Sequence, residues 1–280
     1  MDLGSPLIIN LALTGMVPRR KDNPNTPISP DEIAADVERC FKAGARVFHI
    51  HARAADEEPT YHCEVFAETI RKIKRTTPDA ILCVTTSGRL YKSFEERGDC
   101  LNLSDEIKPE LASLTLGSLN FPKQASINEP EMITKLAARM LERGIVPELE
   151  IFDFGMLDYA HYLIGRGLLK PPFVFNLLLG SLGTLAATPL NLALLVERLP
   201  AGAYWNAAGI GRFQYPMNAL AVAMGGNVRT GLEDNLYLDA EKRALASNEQ
   251  LVQRIITYTQ ALGRPVATPE QARQMLGLAS

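Results

Sequence analysis

Eight short β-rich runs, each followed by a polar loop and a segment of helical periodicity, limit the folds open to this chain more than any other feature. The runs are Leu7–Leu13, Arg46–His51, Ala80–Thr86, Leu111–Thr115, Glu148–Phe152, Phe173–Leu179, Ala203–Ala208 and Asn227–Gly231. Strands that alternate with helices give a parallel sheet with right-handed crossovers. Eight such units close most simply into an α/β structure of the (β/α)8 TIM-barrel type, with residues 1–280 as one domain and the active site at the C-terminal ends of the strands. A doubly wound open sheet is the alternative. It fits less well, because the first strand-to-helix turn, LTGMVPRR, lacks a GxGxxG pattern.

The helical segments carry their own punctuation. Ser29–Glu32 reads as a capping box with proline at the first helical position, and Ile33, Val37, Cys40 and Phe41 mark one apolar face behind it. Asn128 with Glu131 predicts another helix start, and Gly144 its end. Thr188–Pro189 and Thr268–Pro269 repeat the start signal, and the last full helix is predicted over about Asn248–Leu262.

Composition excludes some partners. A net charge of −3 gives no bulk attraction to nucleic acid or to an anionic membrane surface. The longest apolar runs, such as FVFNLLLG, fall far short of the roughly 20 residues a membrane span needs. The opening MDLGSPLIINLALTG lacks a basic n-region and reads as a first strand, not a signal peptide. Cys40, Cys63, Cys83 and Cys100 are scattered without CxxC spacing, which fits reduced thiols in a cytoplasm.

Two of the four histidines, His49 and His51, end the second run with one residue between them. Side chains alternate along a strand, so both point the same way, and Val47 shares their face. Against the apolar outer layer their ring nitrogens would be buried without partners, which is costly. The interior mouth suits them better, and there they offer two of the three or four ligands a divalent metal needs. A structural, hydrogen-bonded histidine is the plainer alternative, so a further ligand is required.

The best candidate lies in NVRTGLEDN, residues 227–235. In a closed barrel the eighth and second strands both flank the first, so their tips are neighbours. Arg229, Gly231 and Glu233 share a face by alternation. Asp234 faces inward only if the chain has already left the strand, which Gly231 eases. Glu233 then serves as a metal ligand and Asp234 as a proton acceptor beside Arg229. A surface loop with an ordinary Arg–Asp pair is the bland alternative. Glu148, Glu150 and Asp153 form a third acidic cluster, which either reaches the site or pairs with interior basic residues. His62 reads as a solvated loop residue and His161 as a structural residue within a helix.

Hydroxyls and glycines gather at the same rim: Thr14–Gly15, Thr85, Ser87 and Gly88, Ser113 and Thr115. Small donors at strand tips suit a carboxylate or carbonyl substrate. Gly209, Gly211 and Arg212 follow the seventh run, where barrels often hold a phosphate.

Together these motifs resemble the β-keto acid cleavage enzyme family, whose best known activity cleaves 3-keto-5-aminohexanoate. The resemblance covers nearly the whole chain and is carried by LTGMVPRRKDNPNTPISPDEIAAD, AGARVFHIHAR, KPELASLTLGSLNF, VPELEIFDFGML, WNAAGIGRFQYPM, GGNVRTGLEDNLYL and LGRPVATPEQAR. It implies a zinc-dependent TIM barrel that converts a β-keto acid and acetyl-CoA into acetoacetate and a new acyl-CoA. It implies that His49, His51 and Glu233 bind Zn2+, that Asp234 oriented by Arg229 is the base, and that Thr85, Gly88 and Ser113 hold the keto acid. It also suggests a homotetramer. One position departs: members that take an amino-bearing keto acid carry an acidic residue where this chain has Val17. An ammonium group left unpaired in a desolvated pocket costs several kcal/mol. A neutral or apolar keto acid is therefore expected. A zinc-dependent aldolase or hydrolase using a metal-bound water, or a non-catalytic metal-binding barrel, are the rival readings.

Overall fold

The structure is a computed structural model that describes residues 4–278. In chain order its strands are β1 (Ile9–Ala12), β2 (Val47–Ile50), β3 (Ile81–Val84), β4 (Leu111–Thr115), β5 (Leu119–Asn120), β6 (Ala125–Ser126), β7 (Val146–Ile151), β8 (Val174–Leu179), β9 (Tyr204–Gly209) and β10 (Asn227–Thr230). Strands β1, β2, β3, β4, β7, β8, β9 and β10 pair in parallel and close into a barrel, while β5 and β6 form an antiparallel hairpin in the loop after β4. All eight predicted runs are barrel strands. Closure sets β1 between β2 and β10, with Ala12 opposite His49 and Leu11 opposite Thr230.

The helices are α1 (Pro30–Ala43), α2 (Cys63–Thr76), α3 (Phe94–Gly98), α4 (Pro130–Arg143), α5 (Phe154–Gly165), α6 (Pro189–Glu197), α7 (Gln214–Met224), α8 (Asn248–Ala261) and α9 (Pro269–Met275). Helix α1 begins as its sequence predicts, with Ser29 and Glu32 bonded reciprocally, and Gly44 ends it. Its buried Ile33, Val37 and Cys40 pack with Phe66 and Ile70 of α2 over outward strand residues such as Leu11, Phe48 and Leu82. Each such fully buried side chain contributes roughly 1.5–3 kcal/mol.

One predicted helix start shifts. Asn128 does not cap α4, because Pro130 fixes the first turn one residue later and Glu129 is the cap residue, without a side-chain bond. The Asn128 side chain instead accepts from the buried Arg97 guanidinium at 2.7 Å and donates to the Gly117 carbonyl at 3.0 Å.

The barrel interior is layered. At its lower end Ile8, Val47, Ile81, Leu111 and Val174 form an apolar plug, and α9 seals it from below with Ala272 and Leu276. Higher up, the inward positions are polar: Asn10, His49, Ser113, Glu148, Asn176 and Arg229 are all buried. Most of these groups bond one another, but both polar atoms of the Asn176 side chain have no partner, so this end of the barrel is built for more than packing.

Beyond Thr230 the chain turns sharply at Gly231, whose φ is 138°. A Cβ at that position would stand 2.1 Å from the Ala12 carbonyl oxygen. Both the conformation and the contact require glycine. Gly231→Ala is expected to cost on the order of 2–4 kcal/mol through strain and overpacking. Urea unfolding would register this as a lowered midpoint, and an unchanged midpoint would show that the turn relaxes freely.

Candidate active site

His49 lies near the end of β2 and His51 just past it, both buried, with their Nε2 atoms 3.2 Å apart. Glu233 reaches them from the far end of the chain: its Oε1 is 3.3 Å from His51 Nε2 and its Oε2 is 3.9 Å from His49 Nε2. Four ligands at the usual zinc distances stand about 3.3 Å apart along the edges of a tetrahedron. The His49–His51 and His51–Glu233 Oε1 separations match this edge, and the other Glu233 oxygen lies farther out, 3.9 Å from His49. Glu233 Oε2 has no hydrogen-bond partner although it is buried. Two ring nitrogens aimed at one point beside an orphaned carboxylate oxygen fit a divalent ion.

Room for Glu233 comes from Gly15, whose φ is 67°; a Cβ there would stand 2.5 Å from Glu233 Cγ. The Arg53 guanidinium donates to the Gly15 and Pro18 carbonyls and pins this loop. On the other side, Leu232 N–H donates to Asn248 Oδ1, and Asn248 donates in turn to the Leu13 carbonyl and to Asp36.

Glu148 answers the question its sequence left open. Its Oε2 lies 2.9 Å from His49 Nδ1, and Asn10 donates to its Oε1 at 2.6 Å. A carboxylate behind a ligating imidazole fixes the ring and its tautomer, leaving Nε2 to face the metal. Burial opposes ionisation of Glu148, but His49 and Arg229 outweigh it and hold the group at about 2. Burial drives His51 down to about 4, so it is neutral and ready to ligate. At His49 burial also opposes the charge, but Glu233 and Glu148 prevail and raise it above the ordinary range.

Arg229 is the buried cation at the centre. It donates to both oxygens of Asp234, from Nε at 3.0 Å and from Nη2 at 3.2 Å, and lies 3.2 Å from Glu233 Oε1. Asp234 does face inward, as the early end of β10 allows. Burial and the nearby Glu233 raise its carboxyl above the usual range despite Arg229. Thr115 donates to Glu150 at 2.5 Å, and Arg229 Nη1 lies 3.6 Å from the same side chain.

The hydroxyls divide. Thr14 is spent on the Pro27 carbonyl and Thr115 on Glu150. Ser113 Oγ and Thr85 Oγ1 act as acceptors, from Thr86 N–H and Ser87 N–H, so their own protons remain available. Thr85 and Ser87 line a small cavity of about 20 Å³ with Met16, His51 and Tyr91. Gly88 lets the loop close, since a Cβ there would stand 2.4 Å from the Ile127 carbonyl.

Other expected residues take structural roles. Asp153 caps α5 through Met156 N–H. His161 bonds the Arg198 carbonyl at 2.8 Å, as a structural histidine should. His62 is exposed at the start of α2; with Glu64 and Asp99 it makes a loose acidic group, but Asp99 is engaged by Cys63 N–H. At Gly209–Arg212, where a phosphate was expected, the Gly211 N–H is already engaged, donating to the Asp234 carbonyl at 2.7 Å. That glycine holds the catalytic loop instead. Sequence reasoning passed over Arg53, Asn248 and Arg89. Arg53 stands in phase with His49 and His51, and Arg89 follows Gly88 directly, so both carried a positional signal.

Comparison with known proteins agrees with this geometry. The family model for beta-keto acid cleavage enzymes matches residues 6–278. The chain belongs to the β-keto acid cleavage enzyme family. A 3-keto-5-aminohexanoate cleavage enzyme of Fusobacterium nucleatum is 39% identical over 97% of this chain and 98% of its own length. A 3-oxoadipate:acetyl-CoA acetyltransferase of Cupriavidus necator is also 39% identical, over 98% of this chain and 96% of its own. The apo structure of ObcA superposes with a TM-score of 0.82 at 23% identity, covering 92% of this chain and 66% of that one, a likeness of fold. The resemblance read from the motifs and the barrel are both borne out, and membership makes this chain an enzyme of the C–C bond-cleaving kind.

Glu148→Gln keeps the size of the side chain but removes the carboxylate behind His49. It is expected to weaken metal binding roughly 10–100-fold. Competition with a chromogenic chelator measures this directly, and an unaltered affinity would show that Glu148 does not support the ligand.

Proposed function

We propose that this enzyme takes a β-keto acid and acetyl-CoA and releases acetoacetate and a new acyl-CoA. The observation that carries the reading is the meeting of His49, His51 and Glu233 at one rim with the Arg229–Asp234 pair beside them. Two imidazoles and a carboxylate suit zinc, and three protein ligands leave a position for a reactant, which separates this site from a closed structural one. When bound, zinc supplies Lewis acidity at the oxygens of the keto acid.

The chain's own groups do the rest. Asp234 accepts a C2 proton from the keto acid, and Arg229 fixes its carboxylate with two hydrogen bonds. The C2 carbanion forms a bond to the acetyl carbon, and CoA thiolate leaves. The thiolate then attacks the original keto carbon, the C2–C3 bond breaks, and its electron pair returns to C2. Asp234 gives the proton back, and acetoacetate departs with the two acetyl carbons. Thr85 and Ser113 have hydroxyl protons free to orient the keto acid, and Gly88 shapes the loop between them.

The names of the relatives agree on a keto acid and differ on its tail, so identity alone does not choose the tail. Val17 is half exposed and offers no charge to an ammonium group, which argues against an amino-bearing substrate. No helix among the described residues is long and apolar enough to cross a membrane. Four free cysteines fit a reducing cytoplasm. Tyr162 on α5 with Leu190 and Leu194 on α6 leaves apolar surface exposed, which supports a homo-oligomer, the tetramer implied by the family.

Asp234→Asn is expected to retain the metal and lose turnover by about 10²–10⁴-fold. The assay follows acetoacetate from zinc-loaded protein and a panel of β-keto acids, with and without acetyl-CoA. Full activity in the variant would remove Asp234 as the base. Turnover by the wild type without acetyl-CoA would favour an aldolase or hydrolase.

A further inference from the structure

Arg89, in the loop after β3, is a cation that the reaction above does not employ. Its backbone is fixed: its N–H donates to Ser87 Oγ at 3.4 Å, and Lys92 Nζ donates to its carbonyl at 3.3 Å and to that of Gly88 at 3.0 Å. Its guanidinium carbon lies 3.7 Å from the centre of the Phe121 ring, and Phe121 is itself wedged edge-on against Phe152. No group among the described residues accepts a hydrogen bond from this guanidinium, and its Nε is fully buried. Arg89 lies in the loop after β3 that also carries Thr85 and Ser87, and those two residues line the cavity with His51, so this loop belongs to the active-site rim.

A guanidinium stacked by one face keeps its in-plane N–H donors directed outward, in a fork that matches a carboxylate. Leaving the buried Nε donor unpaired is costly unless a ligand supplies an acceptor. We propose that Arg89 binds the tail of the keto acid, and that this tail ends in a carboxylate. The inference rests on the reaction proposed above. There the first carboxylate and the keto oxygen belong to the reacting end, at His49, His51 and Glu233. The charges of CoA do not compete for Arg89, because its phosphates lie beyond the long pantetheine arm while the thioester is at Asp234. The remaining anion is the far end of a β-keto dicarboxylic acid. The neutral or apolar tail expected from Val17 gives way to an anionic one. Valine withholds a partner from a cation but does not oppose an anion.

The test compares 3-oxoadipate with 3-oxohexanoate, which differ only in a terminal carboxylate against a methyl. In zinc-loaded wild type, kcat/KM for acetoacetate formation should favour 3-oxoadipate by about tenfold or more, as a charge-assisted pair provides. Arg89→Gln should abolish that ratio mainly through KM, and Arg89→Lys should recover part of it. Binding is read separately: adipate should raise the melting temperature of the wild type but not of Arg89→Gln, and hexanoate should raise neither. A wild type that prefers 3-oxohexanoate, or a ratio that survives in Arg89→Gln, overturns the assignment. If neither keto acid yields acetoacetate while adipate protection still depends on Arg89, the reaction falls and the anion site stands.

Discussion

The centre of this molecule depends on one buried guanidinium. Arg229 stands within 4 Å of four carboxylates, those of Glu148, Glu150, Glu233 and Asp234. Buried acids without a cation repel one another and take up protons. In the reaction proposed above, Glu148 would then fail to orient His49, Glu233 would ligate poorly, and Asp234 would start already protonated. Lysine would not replace this residue, because a single ammonium lacks the fork that reaches both oxygens of Asp234 while still facing Glu233. Losing one partner of such a buried group costs more than the pair contributes, since the remaining charge is stranded.

Much of this was legible in the sequence because strand alternation is a rigid rule. Spacing alone placed His49 and His51 on one face, and closure of eight strands brought residue 233 to them across a long sequence gap. The inward turn of Asp234 depended on an early end to the last strand, which Gly231 made easier and the structure shows. What the sequence withheld was the use of each polar atom. Asn128 looks like a helix cap until Arg97 is seen to need its oxygen. Gly209 and Gly211 look like a phosphate cradle, but the Gly211 amide is already used on the Asp234 carbonyl. Thr14 and Thr85 are alike in the sequence, but only Thr14 donates its hydroxyl proton in a hydrogen bond to a backbone oxygen. These are contests between acceptors far apart in the chain, and local pattern carries no information about them.

The backbone contacts around Asp234 explain why its loop holds a fixed shape without secondary structure. The Asp234 amide bonds the Gly231 carbonyl, its own carbonyl accepts from Gly211, and Gln214 also donates to Gly231. One residue before, the Glu233 amide donates to the Ala12 carbonyl. Two adjacent acids are therefore anchored to β1 and to the turn after β9, and their side chains diverge toward the His49–His51 pair and toward Arg229. A loop held in this way loses little entropy when substrate arrives, which is the advantage of a preorganised site.

The same distribution divides the labour between reacting end and tail. His49, Glu148 and Arg229 belong to barrel strands and His51 follows β2 directly, where a change in position would disturb the packed interior. Val17 and Arg89 lie on loops outside the ladder, braced by Arg19 and Lys92 but not part of the core. A family that keeps one reaction and changes its keto acid needs to alter only the second group. On the proposed reaction, a fixed carbon–carbon chemistry with an adjustable tail follows from where the barrel places rigidity: side chains assigned to the reacting atoms are tied to strands, and those assigned to the tail sit on loops, where replacement disturbs the packed interior less.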